Sequence, residues 1–302
     1  MSSIATRHGI KVTYINLSGP EGPANLSRAL NPSTKIVMIE SPTNPMQRIC
    51  NIRELAALCH ANTHKTCGYT LLSIDNTMMS PVLMRPIEFG ADIVIHSATK
   101  FMSGHADTMA GAVVVRDGVM EGSKSLADTL YFYQNAEGTA LAPFDCWLIL
   151  RGMKTMALRL EKQQINAVQV ARWLQQQSCI TRVYHAGLID HSDYALHASQ
   201  ASGGGCVVCF LTGNIELSKH IVSATKLFKI TVSFGSVNSL ISLPGLMSHA
   251  SIPADVKSAR EFPEDLVRMS IGIEYIDDLI HDLKCALGSF AGTVNGASAQ
   301  LA

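Results

Sequence analysis

Apolar positions in the first half of the chain fall in short dense blocks rather than in alternation. Residues 36–39, 71–74, 93–95 and 110–115 are almost wholly aliphatic and are bounded by turn-forming residues. Blocks of this kind predict strands buried on both faces, as in a parallel sheet between helical layers. Each of the first three ends in polar residues: Glu40-Ser41-Pro42-Thr43-Asn44-Pro45, Asp75-Asn76-Thr77 and His96-Ser97-Ala98-Thr99-Lys100. Ligands of open α/β sheets bind at the carboxyl ends of the strands, so these clusters converge on one place. Residues 11–17, with Val12, Tyr14 and Ile15, predict a further strand.

Helical signals lie between and after these blocks. Asn51 and Glu54 form a capping-box pattern ahead of Ile52, Leu55 and Cys59. Residues 144–177 hold little Gly or Pro, and Met153, Met156, Leu160, Ile165 and Val168 predict the apolar stripe of one long helix linking two domains. Residues 207–211 and 230–234 predict strands of a second domain. Ser202-Gly203-Gly204-Gly205 lacks the spacing and the following helix of a phosphate-binding loop, so it predicts a turn. Ile276, Leu279, Ile280, Leu283 and Leu287 predict an amphipathic closing helix, and the Gly/Ala/Ser-rich stretch after Gly288 a frayed tail. The division expected is 1–147 and 148–302.

Composition narrows the function classes. In 302 residues the chain is 47% hydrophobic and 16% charged, which supports a packed core and excludes an intrinsically disordered chain. Lys+Arg and Asp+Glu balance at 24 each, leaving no global basic field for nucleic acid or an anionic membrane. No apolar run approaches the roughly 20 residues of a membrane-spanning helix. The first ten residues lack a signal-peptide pattern. Eight scattered cysteines fit free thiols in a reducing compartment. Cys206-Val207-Val208-Cys209 continues into Phe210-Leu211, reading as strand, and it lacks the second ligand pair of a zinc site; no metal is expected.

Lys100 alone would read as a solvated loop lysine. Beside Ser97 and Thr99, with Asp75 closing the preceding strand, it suits pyridoxal phosphate (PLP). That cofactor needs an amine for its carbonyl carbon and a carboxylate facing its ring nitrogen. It also needs donors for its phosphate. His96 and His105 have no partner at ligand spacing and are expected to be structural; Asp107 is expected to cap a loop.

The motif Glu40-Ser41-Pro42-Thr43-Asn44-Pro45, then Ile74-Asp75-Asn76-Thr77, then residues 96–107 from His96 through Lys100-Phe101-Met102-Ser103-Gly104-His105-Ala106-Asp107 resembles the Cys/Met-metabolism family of PLP enzymes. Gln134-Asn135-Ala136-Glu137-Gly138, Leu141-Ala142-Pro143-Phe144-Asp145 and Leu150-Arg151-Gly152-Met153-Lys154-Thr155 continue the likeness, which runs from about residue 10 to 287. Within the family, residues 232–244 and the stretch Met247-Ser248-His249-Ala250-Ser251-Ile252-Pro253 are most similar to the plant-type cystathionine β-lyases. Relatives acting at the γ carbon tend to carry Glu where Val232 stands.

The resemblance implies an α/β fold: a fold type I, PLP-dependent transferase-like large domain with a mostly parallel sheet, N-terminally truncated against the family, and a smaller α+β C-terminal domain. It implies that Lys100 holds PLP and moves the α-proton, that Asp75 faces the ring nitrogen, and that Ser97 and Thr99 hold the phosphate. Asn44 would bond near the ring oxygen, Arg268 would clamp the substrate carboxylate, and Ser233 would position Lys100 or the substrate. The implied substrate is L-cystathionine, the implied assembly a homotetramer, and the implied location the chloroplast or the cytoplasm. A truncated relative that joins full-length subunits, or a γ-acting relative, are the alternatives. Family members carry roughly one hundred further residues before the strand near Val12, about one more domain segment. That segment supplies a ring stacked on PLP, phosphate-binding amides, and a Tyr and an Arg for the neighbouring subunit. Residues 63–69 look like an insertion, expected to lengthen a loop before the Asp75 strand and disturb its register.

Overall fold

The structure, a computed structural model, describes residues 5, 7–65, 67–248, 262–291, 293–294 and 297–298. Helix α1 (Gly22–Ala29) precedes β1 (Ile36–Glu40). Helix α2 (Ile52–Ala61), the two-residue strands β2 (Thr63–His64) and β3 (Gly68–Tyr69), β4 (Leu71–Asp75), the short α3 (Ser80–Leu83), β5 (Ile93–Ser97) and β6 (Gly111–Val115) follow. The sheet order is β1-β4-β5-β6. The first three strands are parallel, and β6 runs antiparallel to β5. Burial on both faces holds for β4. The outer strands β1 and β6 instead expose Ile36, Met38, Val113 and Val114, because side chains project from the faces of the sheet and no described element covers them there. Asn51 caps α2 as its pattern predicts, accepting from the Glu54 N–H at 3.3 Å.

Residues 11–17 are not a strand: Val12, Tyr14 and Ile15 are exposed, and no described strand lies beside them. Strand propensity is only realised against a pairing partner. Residues 63–69, of which Thr66 lies outside the described residues, form the β2–β3 hairpin rather than an open loop. Tyr69 OH donates to the fully buried Asp92 at 3.1 Å, which also accepts from Arg116 at 2.6 Å and the Leu72 N–H at 2.8 Å, with His60 Nε2 at 3.0 Å. The register of β4 against β1 is kept over five residue pairs.

The next elements are the hairpin β7 (Met120–Glu121) and β8 (Lys124–Ser125), α4 (Leu126–Ala136), α5 (Pro143–Met153) and α6 (Met156–Gln175). The single long helix expected over 144–177 is thus broken between α5 and α6. Arg159 makes the break tolerable: its Nη2 donates to the Gly152 carbonyl released at the end of α5 (2.9 Å) and to the Phe101 carbonyl (3.0 Å). Met153 and Ile165 face outward. The buried stripe of α6 is Met156, Leu160, Ala167, Val170, Ala171 and Leu174, interleaved with buried Arg159, Gln163 and Asn166.

The second half holds β9 (Arg182–Tyr184), α7 (Tyr194–Gln200), β10 (Val207–Leu211), α8 (Ile215–Ala224), β11 (Lys229–Ile230), β12 (Leu240–Ser242), β13 (Val267–Ser270) and α9 (Ile276–Gly288). They form a mixed sheet in the order β11-β12-β13-β10-β9. The strand expected over 230–234 stops at Ile230, because the chain then leaves the sheet for the turn that carries Lys100. Cys206 and Cys209 are fully buried, which pushes both thiols up, Cys209 to about 12. Residues 249–253 of the stretch that resembles plant-type relatives lie outside the described residues, as do 292, 295–296 and 299–302 of the tail. No helix among the described residues is long and apolar enough to cross a membrane.

Gln163 and Asn166 join α6 to irregular backbone. Gln163 Nε2 donates to the carbonyls of Ser236 (2.9 Å) and Ile271 (2.8 Å), and Asn166 Nδ2 to those of Gly272 (3.0 Å) and Glu274 (2.9 Å). Replacing Gln163 by Leu strands two buried carbonyls, so unfolding in denaturant should show a loss of about 2–4 kcal/mol. A loss under about 0.5 kcal/mol would mean the segment does not depend on this amide.

Candidate active site

Parallel register brings three strand ends to one edge. Glu40 pairs with Asp75 across β1 and β4, and Asp75 pairs with Ile95 on β5, two residues before Ser97. The turn after β5 is closed by the Lys100 N–H on the Ser97 carbonyl (3.0 Å) and the Gly104 N–H on the Lys100 carbonyl (2.8 Å). It holds Lys100 at the same edge. Asp75 Oδ1 accepts the Thr77 N–H at 2.9 Å, and the Thr77 hydroxyl accepts the Ser97 N–H at 2.8 Å, so these ends are bonded to one another.

The second sheet supplies the opposite wall. Lys100 Nζ donates to Ser233 Oγ at 2.7 Å. Arg268, on β13 and only 2% exposed, donates from Nη1 to Asn44 Oδ1 at 3.1 Å and from Nη2 to the Val232 and Ser233 carbonyls at 2.6 and 3.3 Å. Lys100, Ser233, Asn44 and Arg268 are therefore one connected group. Thr99 is turned aside: its hydroxyl accepts the Ala110 N–H at 2.8 Å and points at the Ala110 carbonyl at 3.3 Å. Ser97 is at the strand end with its hydroxyl outside any described bond. His96 is buried on β5. His105 Nδ1 lies 2.7 Å from the Ser103 carbonyl, and Asp107 accepts from the Ser103 hydroxyl at 2.9 Å.

Phe234 was not among the expected site residues, yet it organises them. Lys100 Nζ stands 5.0 Å and the Arg268 guanidinium 5.5 Å from its ring centroid. Its only sequence signal is an aromatic residue between Ser233 and Gly235. Gly235 has φ +86°, and a Cβ there would stand 2.7 Å from Phe101 N and 2.9 Å from the Lys100 carbonyl carbon. Glycine thus lets the 232–237 segment lie directly on the lysine turn. Burial, and then the Arg268 charge, hold the Lys100 amine below its ordinary 10.5. Neither cation has an ion pair with a carboxylate among the described residues. A cavity of about 710 Å³ opens elsewhere, beside Arg48, Arg182, Tyr184 and His191, and none of the seven expected site residues lines it.

This lysine-centred edge coincides with a family match. The model of the Cys/Met metabolism PLP-dependent enzymes matches residues 1–288. The chain belongs to this family. It is similar to the chloroplastic cystathionine β-lyases of Arabidopsis thaliana (52% identical, 96% of this chain, 59% of the relative) and Mimosa pudica (51%, 96% and 60%). The chain thus spans about three-fifths of the length of these curated relatives. A crystal structure of cystathionine γ-synthase from Xanthomonas oryzae pv. oryzae, in complex with cystathionine, superposes with TM-score 0.87 at 36% identity, over 95% of this chain and 70% of that one. The PLP-dependent fold type I, mostly parallel in its first sheet, is that of this family.

As a member of the Cys/Met-metabolism family the chain carries donors that fit PLP. A part-buried amine without a carboxylate partner, a carboxylate at the adjacent strand end and the Ser97 hydroxyl lie on one edge. Because burial disfavours the ammonium form, Lys100 is the neutral nucleophile at lower pH than an ordinary lysine. Reaction with cyanate, followed by peptide mapping across pH, should show Lys100 modified with a midpoint below 10.5, and a midpoint at or above that of surface lysines would contradict the burial argument. Gly235→Ala should lower stability by about 1–3 kcal/mol in thermal unfolding, from crowding and the left-handed φ.

Proposed function

We propose that the chain acts as a PLP-dependent carbon–sulfur β-lyase that takes L-cystathionine and water to homocysteine, pyruvate and ammonia. The observation that carries this is the part-buried Lys100 amine on Ser233 Oγ (2.7 Å), facing the same Phe234 ring as the buried Arg268. Lys100 would hold PLP, Asp75 would face its ring nitrogen, Asn44 would bond near its ring oxygen, and Ser97 would hold the phosphate, with Thr99 beside it. When bound, PLP supplies the sink for the electron pair left at the substrate Cα. Arg268 binds the substrate carboxylate through a planar fork that Lys cannot reproduce. Asn44 orients that guanidinium. Ser233 holds the Lys100 amine where it takes the Cα proton, and its depressed basicity leaves the amine free to accept it. Val232 stands where γ-acting relatives tend to carry Glu, and the relatives named cystathionine β-lyase support β-elimination.

The proposal extends to organisation. The two separate sheets support a large domain over 1–147 and a C-terminal domain over 148–302, although the core under the first sheet also takes in Leu160, Val207 and Cys209 from the second half. Exposed Tyr131, Phe132, Phe144 and Trp147 on α4 and α5 support a homo-oligomer, a tetramer by family likeness. The plant relatives' chloroplastic names support a plastid location, with the cytoplasm as the alternative.

Residues 1–302 supplied with PLP should gain a visible absorption band that borohydride fixes on Lys100. L-Cystathionine should then yield pyruvate and homocysteine, and 2-oxobutyrate would indicate γ-cleavage instead. Lys100→Ala should lose both the label and the turnover. Arg268→Lys should raise KM about 10- to 100-fold, the loss of one or two charge-assisted hydrogen bonds. Folded protein with no band would overturn the proposal.

A further inference from the structure

Glu40 ends β1 directly opposite Asp75, and its side chain does not point away from the site. Glu40 Oε2 accepts the Asn44 N–H at 2.9 Å. Asn44 Oδ1 in turn accepts from Arg268 Nη1 at 3.1 Å. The turn between them is bolted from its far side by the buried Gln47. Gln47 donates to the carbonyls of Tyr184 (3.1 Å) and Val207 (2.7 Å) and accepts the Ala186 N–H at 3.0 Å. On the near side, the Glu40 carboxyl is the side-chain acceptor that holds the Asn44 backbone. No role has so far attached to it, although it stands in the Glu40-Ser41-Pro42-Thr43-Asn44-Pro45 motif.

We infer that Glu40 is a positioning residue: its carboxyl fixes the Asn44 backbone and, through the Asn44 side chain, sets how the Arg268 guanidinium meets an anionic ligand. The inference rests on the carboxylate-binding role proposed for Arg268.

Electrostatics make the relay sensitive to pH. Burial pushes the Glu40 carboxyl up to about 7, with the Asp75 charge adding; the Asn44 N–H and the Arg268 charge pull the other way. The charged and titratable groups acting with it are Asp75 on β4, Arg268 on β13 and the Cys50 thiol, itself pushed up to about 12. Below that point Glu40 is neutral and Arg268 offers its charge to a ligand. As Glu40 loses its proton it becomes an anion facing Arg268 and competes with the ligand carboxylate. Affinity for a carboxylate therefore falls as pH rises through about 7.

The test uses residues 1–302 and propionate as a minimal carboxylate. The readout is the side-chain ¹⁵N resonance of Arg268, assigned by its absence in Arg268→Lys. Propionate affinity should fall several-fold in the wild type between about pH 6 and 8, as the carboxyl titrates. Glu40→Gln keeps an acceptor for the Asn44 N–H and has no proton to lose. It should bind propionate within about twofold of wild type at the lower pH and lose the pH dependence. Glu40→Ala should shift the Arg268 resonance, weaken propionate about tenfold at the lower pH and, like Glu40→Gln, lose the pH dependence. Should Glu40→Ala not fold, the Glu40→Gln pH profile alone decides. Unchanged binding in Glu40→Ala, or an unchanged pH profile in Glu40→Gln, overturns the inference. PLP uptake measured in parallel by the borohydride-fixed band separates the two levels. Propionate binding sensitive to Glu40 in a chain that takes up no PLP would sink the cofactor reading and leave the relay standing. PLP uptake with propionate binding indifferent to Glu40 would do the reverse.

Discussion

Two cations share one aromatic ring at the junction of the two sheets. Lys100 and Arg268 both stand within 6 Å of the Phe234 centroid, and neither is ion-paired with a carboxylate among the described residues. Removing charge from water is costly, and a ring face and neutral oxygens offset only part of that cost. The two residues answer differently. The lysine amine becomes a weaker base, while the guanidinium keeps its charge and donates hydrogen bonds to the Asn44 side-chain oxygen and the Val232 and Ser233 carbonyls. An amine of lowered basicity beside a buried, under-compensated cation suits the proposed amino-acid chemistry at Cα. In the proposed reaction one group would move a proton and the other would hold a carboxylate.

Holding that arrangement falls to backbone outside regular strands. The segment from Thr231 to Ser239 leaves the second sheet to reach the lysine turn, so its carbonyls need donors from elsewhere. Helix α6 provides one at Ser236 through Gln163, Gln163 and Asn166 serve the carbonyls of Ile271, Gly272 and Glu274 in the irregular backbone after β13, and Arg159 does the same for the end of α5 and for the carbonyl of Phe101 next to Lys100. These side chains occupy positions that an apolar stripe would fill. Their burial is the cost of fastening irregular chain to the helix that joins the two halves. On the other wall, Gln47 and Glu40 fasten the Asn44 turn in the same way.

The sheets divide the work. The parallel strands carry Glu40, Asp75 and Ser97 to a common edge, because strands running the same way end on the same side. The mixed sheet carries Arg268 on β13 and, through its irregular extension, Ser233 and Phe234. Either half alone holds only part of the group, and Lys100 Nζ to Ser233 Oγ and Arg268 to Asn44 are the bonds that span them.

The sequence by itself determined the strands β1, β4, β5 and β10, the α2 cap, the closing helix α9, and the lysine, carboxylate and hydroxyl cluster, because each is written in contiguous residues. Local signals misjudged what depends on neighbours. Residues 11–17 have strand chemistry without a strand to pair with. The helix expected over 144–177 breaks where Arg159 reaches back to the Gly152 carbonyl, and the strand expected over 230–234 stops at Ile230, beyond which Gly235 lets the chain lie on the lysine turn. Phe234 between two cations, Thr99 turned to Ala110, and Glu40 behind Asn44 join residues far apart in the chain or turn a side chain by its surroundings. Spacing along a sequence reports which face of an element a residue takes. Which charge or carbonyl meets it there was decided only when the two sheets packed together.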